Sequence, residues 1–258
     1  MNADELNPLS IVPIPFFDDN YAWVIHSMTD AVVVDPGDAT PVLRYVYAHR
    51  LMLSSVLLTH HHTDHCGGAA EIKRATGCTV IGPHDARLPG VDRYAVHDAT
   101  FDVLSCTIRV IAVPGHTLTH VAYHLPLQQA LFTGDTLFGA GCGRIFEGSY
   151  ADMYRSLMTC AACDEQTRIF AGHEYTLNNL AFALSLEPDN AAIRSRFETV
   201  HTMREHSVPS LPSTLAEEKV TNPFLRCDSS TLRAGLHMTD CAANLEVFTA
   251  LRAMRDTF

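Results

Sequence analysis

The sequence predicts an α+β protein in which sheets pack together with helices outside them, followed by a smaller, helical C-terminal part. Three observations carry this. Short runs rich in Val, Ile and aromatic residues follow one another closely up to residue 171, with only a few helical stretches between them. After His173 the strand-like runs stop and helical periodicity takes over, so a boundary falls between 1–173 and 174–258. Apolar residues make up 47% of 258 residues, enough for one large core or for a main domain plus a smaller one.

The elements follow in order. Strands are expected at Ile11–Phe17, Tyr21–His26 and Ala31–Asp35, punctuated by the turn signals Asp18-Asp19-Asn20 and Pro36-Gly37-Asp38. Pro13 and Pro15 mark the first as an edge strand. A helix is expected from Pro41 to about Arg50, with Thr40 as N-cap. Leu53–Thr59 reads as a buried strand, and Gly67-Gly68 opens a helix running to Thr76. Strands at Cys78–Ile81, Thr100–Leu104, Thr107–Val113, Val121–Leu125, Ala130–Thr133 and Arg168–Ala171 surround a helix at Ala151–Ala162. Leu177–Leu186, Ala191–Glu205 and Cys241–Arg255 are helical.

Composition excludes several classes. A net charge of −11 is wrong for a nucleic-acid surface, which needs a basic stripe. No run approaches the ~20 apolar residues of a membrane span. Met1 to Asp18 lacks a basic start followed by an apolar run, so no signal peptide is expected, and the eight cysteines suit a reducing, cytoplasmic setting. Cys160-Ala-Ala-Cys163 sits in an expected helix and reads as core cysteines rather than a redox pair.

The chemistry concentrates at Thr59-His60-His61-His62-Thr63-Asp64-His65, at the end of an apolar strand. Alternation in an extended chain aims His60 and His62 at one centre and turns His61 away. Asp64 and His65 follow a turn later and can reach a second centre. Imidazole nitrogen and carboxylate oxygen suit borderline metals such as Zn, Fe and Mn. One loop cannot fill two sites. His116, Asp135 and His173 are the further candidates, each at the end of an apolar strand and each preceded by glycine.

These residues resemble the metallo-β-lactamase superfamily, whose mark is T-H-x-H-x-D-H. Gly141-Cys142-Gly143-Arg144-Ile145-Phe146-Glu147-Gly148, Ala171-Gly172-His173-Glu174-Tyr175-Thr176, Asn222-Pro223-Phe224-Leu225-Arg226 and the ending Arg252-Ala253-Met254-Arg255-Asp256-Thr257-Phe258 are similar to its glyoxalase II (hydroxyacylglutathione hydrolase) family. The resemblance spans essentially the whole chain. It implies an αββα sandwich followed by a helical glutathione-binding domain. It implies two divalent metal ions, with Zn expected and Fe or Mn as alternatives: His60, His62 and His116 on one, Asp64, His65 and His173 on the other, and Asp135 between them. It implies hydrolysis of S-(2-hydroxyacyl)glutathione, typically S-D-lactoylglutathione, to glutathione and D-lactate, the second step of methylglyoxal detoxification. The resemblance also implies an attacking water shared by two metals, with Asp64 helping to orient it and Asp64 and Asp135 as the catalytic carboxylates. Contacts to the glutathione thioester are implied for Arg144, Ile145, Phe146, His173, Tyr175, Arg252 and Arg255. Arg252 and Arg255 lie three apart on one helix face, where a solvated helix end is the plainer reading. A monomer is expected, with no nucleic-acid or membrane partner. A mononuclear iron dioxygenase acting on glutathione persulfide is the alternative on this scaffold. The chain departs from some relatives at Phe146, where they carry tyrosine, at Arg255, where they carry lysine, and at Thr119, where a glycine is frequent.

Overall fold

The computed structural model describes residues 9–88 and 90–258, so the first eight residues of the stretch read above as free of a signal peptide lie outside it. The first sheet runs in chain order: β1 (Ser10–Phe16), β2 (Asn20–His26), β3 (Asp30–Val34), β4 (Met52–Leu57), β5 (Thr79–Gly82) and β6 (Arg93–Tyr94). β1 to β3 pair antiparallel, and β3 to β6 pair parallel. Parallel neighbours need crossovers. Helix α1 (Ala39–Ala48) supplies the first; α2 (Thr63–Cys66) and α3 (Ala69–Thr76) supply the second.

The second sheet holds β7 (Thr100–Val103), β8 (Cys106–Ala112), β9 (Val121–Leu125) and β10 (Ala130–Gly134). A small hairpin, β11 (Leu137–Phe138) and β12 (Gly141–Cys142), and helix α4 (Tyr150–Ala161) then lead to β13 (Arg168–Ala171), parallel to β10. Helices α5 (Thr176–Leu186) and α6 (Ala191–Glu205), strand β14 (Ser213–Thr214), and helices α7 (Leu215–Thr221), α8 (Ser230–Gly235) and α9 (Asn244–Arg255) complete the chain.

The period of two sorts the first sheet into two faces. Trp23, Ile25, Val32 and Val34 join Ile108, Val110, Tyr123, Phe132 and Phe170 of the second sheet in one buried cluster. Ala22, Val24, Val33 and Val56 point the other way, onto Val42 and Val46 of α1 and Ile72 of α3. The far face of the second sheet (Ile111, Leu131, Ile169) packs on Met153 and Leu157 of α4, Phe182 of α5 and Phe248 of α9. The result is the αββα layering, with both sheets buried on both faces. Trp23 joins the sheets directly: its Nε1 donates to Ala171 O at 2.9 Å and its ring meets Phe170 edge-on at 5.0 Å.

Several expectations need correction. Asp38, not Thr40, caps α1: its carboxylate accepts from Thr40 N at 2.8 Å, which satisfies a first-turn amide without a partner in the helix. The helix expected from Gly67 begins at Ala69, and residues 63–66 make a separate short turn of helix. The C-terminal helix starts at Asn244, not Cys241, with Glu246 accepting from Ala243 N. Strands do not stop at residue 173, because β14 pairs antiparallel with β13 and forms the edge of the second sheet. α7 and α8 were not expected; both are too short to show a full amphipathic period.

Candidate metal centre

The site stands at the rim where β3, β4, β10 and β13 end. Asp35 leaves β3 and accepts from both Thr59 N (2.7 Å) and Thr59 Oγ1 (2.6 Å), which pins the chain as it enters the histidine cluster. His60 is fully buried. Its Nε2 lies 3.1 Å from His62 Nδ1, which lies 2.9 Å from His116 Nε2. Imidazole nitrogens at such separations suit a shared centre about 2 Å from each. Because the chain turns helical at Thr63, Asp64 and His65 project from α2 towards His173 at the end of β13. His65 Nε2 is 3.2 Å from His173 Nε2, and Asp64 Oδ2 is 3.5 and 3.4 Å from these two atoms. Both triplets have the compactness of a metal-binding group.

Asp135 lies between the triplets. Its Oδ1 is 3.3 Å from His65 Nε2; its Oδ2 is 3.4 Å from both His116 Nε2 and His173 Nε2. The glycines before it and before His173 are required by space. A Cβ on Gly134, at φ +47°, would meet Thr59 Oγ1 at 2.4 Å, and one on Gly172 would meet the His65 ring at 2.5 Å.

The ring nitrogens facing away from the centre are held as well. His60 Nδ1 meets Thr59 Oγ1 (3.0 Å), His65 Nδ1 meets Asp35 Oδ2 (3.1 Å), His116 Nδ1 meets Arg144 O (2.7 Å) and His173 Nδ1 meets Asp19 Oδ1 (2.8 Å). Such outer partners fix which nitrogen faces the centre. Asn20 Nδ2 donates to Asp64 Oδ2 at 3.1 Å. His120 stacks on His60 at 4.6 Å, and its Nε2 accepts from Asp135 N at 3.1 Å. Asp35, Asp19, Asn20, Thr59 and His120 were not singled out from the sequence. Asp35 alone carries a comparable signal, an apolar strand ending just before Pro36-Gly37.

Charge at the site favours a cation. Burial drives His60 well below the ordinary histidine value, and neighbouring His65 and His120 add to this. Burial pulls His173 down too, but Asp135 and Asp64 outweigh it and push the ring up to about 10. Burial raises Asp135, yet His65 and His173 hold it well below the carboxylate range. Buried Asp135 Oδ1 has no hydrogen-bond partner. A hard or borderline cation would satisfy these groups.

A cleft of about 480 Å³ opens over the centre. It is lined by His62, Thr63, Asp64, His116, Asp135 and His173 together with Phe138, Arg144, Phe146 and Tyr175. Tyr175 stacks on His173 at 4.7 Å, and Phe146 stands edge-on to His62 and His116. Other residues expected at the site lie elsewhere. Ile145 packs against the helical core. Arg252 is only 5% exposed, because Nη1 donates to Cys142 O (2.9 Å) and Nη2 to Asp256 (3.1 Å). Arg255 donates to Asn179 Oδ1 at 3.2 and 3.3 Å. Neither arginine is among the residues that line the cleft. Cys66 spends its thiol on His61 O, and burial pushes Cys160 up to about 12, an inert thiol.

The family profile described as Metallo-beta-lactamase superfamily matches residues 16–173, and one described as Hydroxyacylglutathione hydrolase C-terminus matches residues 174–258. A hydroxyacylglutathione hydrolase of Pseudomonas aeruginosa is 45% identical over 257 residues, covering 97% of this chain and 100% of its own. One from Dechloromonas aromatica is 46% identical over 266 residues, with the same coverage. The chain belongs to the hydroxyacylglutathione hydrolase family. Its fold is shared more widely: the crystal structure of ETHE1 from Myxococcus xanthus aligns with a TM-score of 0.65 at 23% identity, over 96% of this chain and 99% of that one. The BLEG-1 B3 metallo-beta-lactamase aligns with the same TM-score at 22% identity, over 84% of this chain and 100% of that one. Phe146 lines the cleft of this hydroxyacylglutathione hydrolase family member, and Arg252 is buried against Cys142.

Proposed function

We propose that this chain hydrolyses the thioester of S-(2-hydroxyacyl)glutathione, with S-D-lactoylglutathione as the type substrate, releasing glutathione and D-lactate. The observation that carries this reading is Asp135, held between the two triplets in a cleft also lined by a cation, Arg144, and by the aromatic rings of Phe138, Phe146 and Tyr175. His60, His62 and His116 would hold one divalent ion, Asp64, His65 and His173 a second, and Asp135 would touch both. When bound, such ions supply the Lewis acidity that makes water nucleophilic near neutral pH and draws charge from a thioester carbonyl. Zinc is our proposed metal, since imidazole with carboxylate suits it.

The protein's own groups do the rest. Asn20 and His173 keep Asp64 ionised against the opposing effect of burial, so Oδ2 is an acceptor able to orient the attacking water. Thiolate is a good leaving group, so no strong acid is needed. Arg144, with 64% of its side chain exposed, supplies local positive charge for a glutathione carboxylate on a chain of net charge −11. Phe138, Phe146 and Tyr175 narrow the cleft and limit bulk water around the thioester.

We further propose a division at residue 173, a monomer, and a cytoplasmic setting. The meeting of the two family profiles at 173/174 supports the first, and eight free cysteines support the last. No helix among the described residues is long and apolar enough to cross a membrane.

The deciding experiment combines turnover with elemental analysis. Metal-loaded protein is expected to cleave S-D-lactoylglutathione without oxygen uptake, with two ions per chain. A chelator should abolish turnover and added zinc restore it. Absence of turnover overturns the reading; one iron per chain with oxygen consumption replaces it with the persulfide dioxygenase.

A further inference from the structure

Four segments meet on the outer flank of the cleft, and one side chain ties them. Arg87, in the loop after β5, donates Nε (2.8 Å) and Nη2 (2.7 Å) to the two oxygens of Asp85. The same guanidinium reaches Glu147, Nη1 to Oε1 and Nη2 to Oε2. Asp85 is almost buried and also accepts from Thr119 Oγ1 at 2.7 Å. Glu147 also accepts from Leu118 N at 2.9 Å. His61, the ring turned away from the metal-binding groups, lies between the carboxylates, 3.5 Å from Asp85 and 3.7 Å from Glu147. Three of the four segments carry cleft residues on their other side: His62 and Asp64, His116, and Arg144 with Phe146.

The geometry points to Arg87 as a positioning residue that fixes the Gly143–Gly148 wall against the histidine loop. This rests on the proposed thioester hydrolysis for its kinetic consequence, but not for its structural one. An isolated exposed pair would contribute little. Here a planar fork serves two carboxylates at once, one of them nearly buried, and removing it leaves two like charges facing a common gap. The wall has other restraints: Gly143 N donates to Thr136 O (3.2 Å) and Arg144 O meets His116 Nδ1 (2.7 Å). Phe146 N to His116 O (3.2 Å) and Gly148 N to Gly115 O (3.0 Å) are its backbone ties to the loop after β8. The Arg144 side chain, by contrast, reaches Asp256 only at 3.7 Å. The Thr119 hydroxyl contributes by anchoring Asp85.

The test compares native protein with Arg87→Met, Arg87→Lys and Arg87→Met/Glu147→Gln, each checked for unchanged metal content. Arg87→Met should raise KM for S-D-lactoylglutathione about five- to tenfold while kcat stays within about twofold, the pattern of lost substrate positioning. Arg87→Lys should recover part of the loss. The double variant should be no worse than Arg87→Met alone, because the two residues act through each other. Hydrogen exchange at the Phe146 and Gly148 amides should quicken by about tenfold, with β10 and β13 unchanged. A quickened wall with native KM, or a raised KM with native exchange, overturns the inference; so does no change in either. If native protein leaves lactoylglutathione uncleaved, the functional reading falls, and the exchange measurement alone decides whether Arg87 holds the wall.

Discussion

Asp35 shows how much one carboxylate can organise. It accepts from Thr59 N, from Thr59 Oγ1 and from His65 Nδ1, and through the threonine hydroxyl it also orients His60. One residue therefore sets rings in both metal-binding triplets. Asp35→Asn replaces an acceptor with a donor facing other donors, and should weaken metal binding about 10- to 100-fold, measured by competition with a chromophoric chelator. Affinity within twofold of native would remove this role. Gly172→Ala tests the space argument: its methyl would press on the His65 ring and Asp135 Oδ1. A loss of about 1–3 kcal/mol in urea denaturation, with reduced metal content, is expected. His60, His62, Asp64, His65, His116, Asp135 and His173 were legible because each ends an apolar run, and the last three follow a glycine. Asp19 and His120 were not, because their meaning depends on partners brought close only by the fold.

Among the elements, the end of α5 is held by a buried ion pair at Glu187. This residue is 5% exposed, receives both Nη groups of Arg226, and accepts from Thr231 of α8. Burial raises its pKa, but Arg226 and Thr231 outweigh it and hold the group below its ordinary value. A depressed folded value means stability that is complete above the unfolded value, near pH 4.5, and is lost as pH falls through the folded one. Glu187→Gln should therefore cost about 2 kcal/mol at pH 7, by urea denaturation, and progressively less below about pH 4. An equal cost at both pH values would assign the effect to packing. Long elements were readable to within a few residues: α6 matches its expected limits, because periodicity over many residues averages out local noise. β11, β12 and β14, two residues each, hold no such average and exist by virtue of what they pair with.

The whole molecule is more continuous than the change of pattern at residue 173 suggests. Ile111, Leu131 and Ile169 of the second sheet share one buried cluster with Phe182, Leu215, Phe224 and Phe248. Phe248→Ala, far along the chain, should cost about 3–5 kcal/mol and lower one shared thermal transition, not split it. Two separated transitions in calorimetry would show that the C-terminal part melts alone. The sequence itself indicated sheets with helices outside and a helical end; the four-layer order came from the family resemblance. The cross-sheet packing was hidden because β2 and β10 are apolar on both faces, which erases the alternation that would assign a side.

The allocation of strands has a consequence during synthesis. Every strand of the first sheet lies within residues 10–94, and every strand of the second lies within 100–214. The ribosome therefore releases His60, His62, Asp64 and His65 long before His116, Asp135 and His173. A half-made chain carries an open cluster of metal-binding side chains with no counterpart to close it. The last of these residues, His173, follows β13, the strand whose edge β14 covers. A chain that ends before residue 173 therefore lacks a member of the second triplet, and one that ends before residue 213 lacks the strand that pairs with β13.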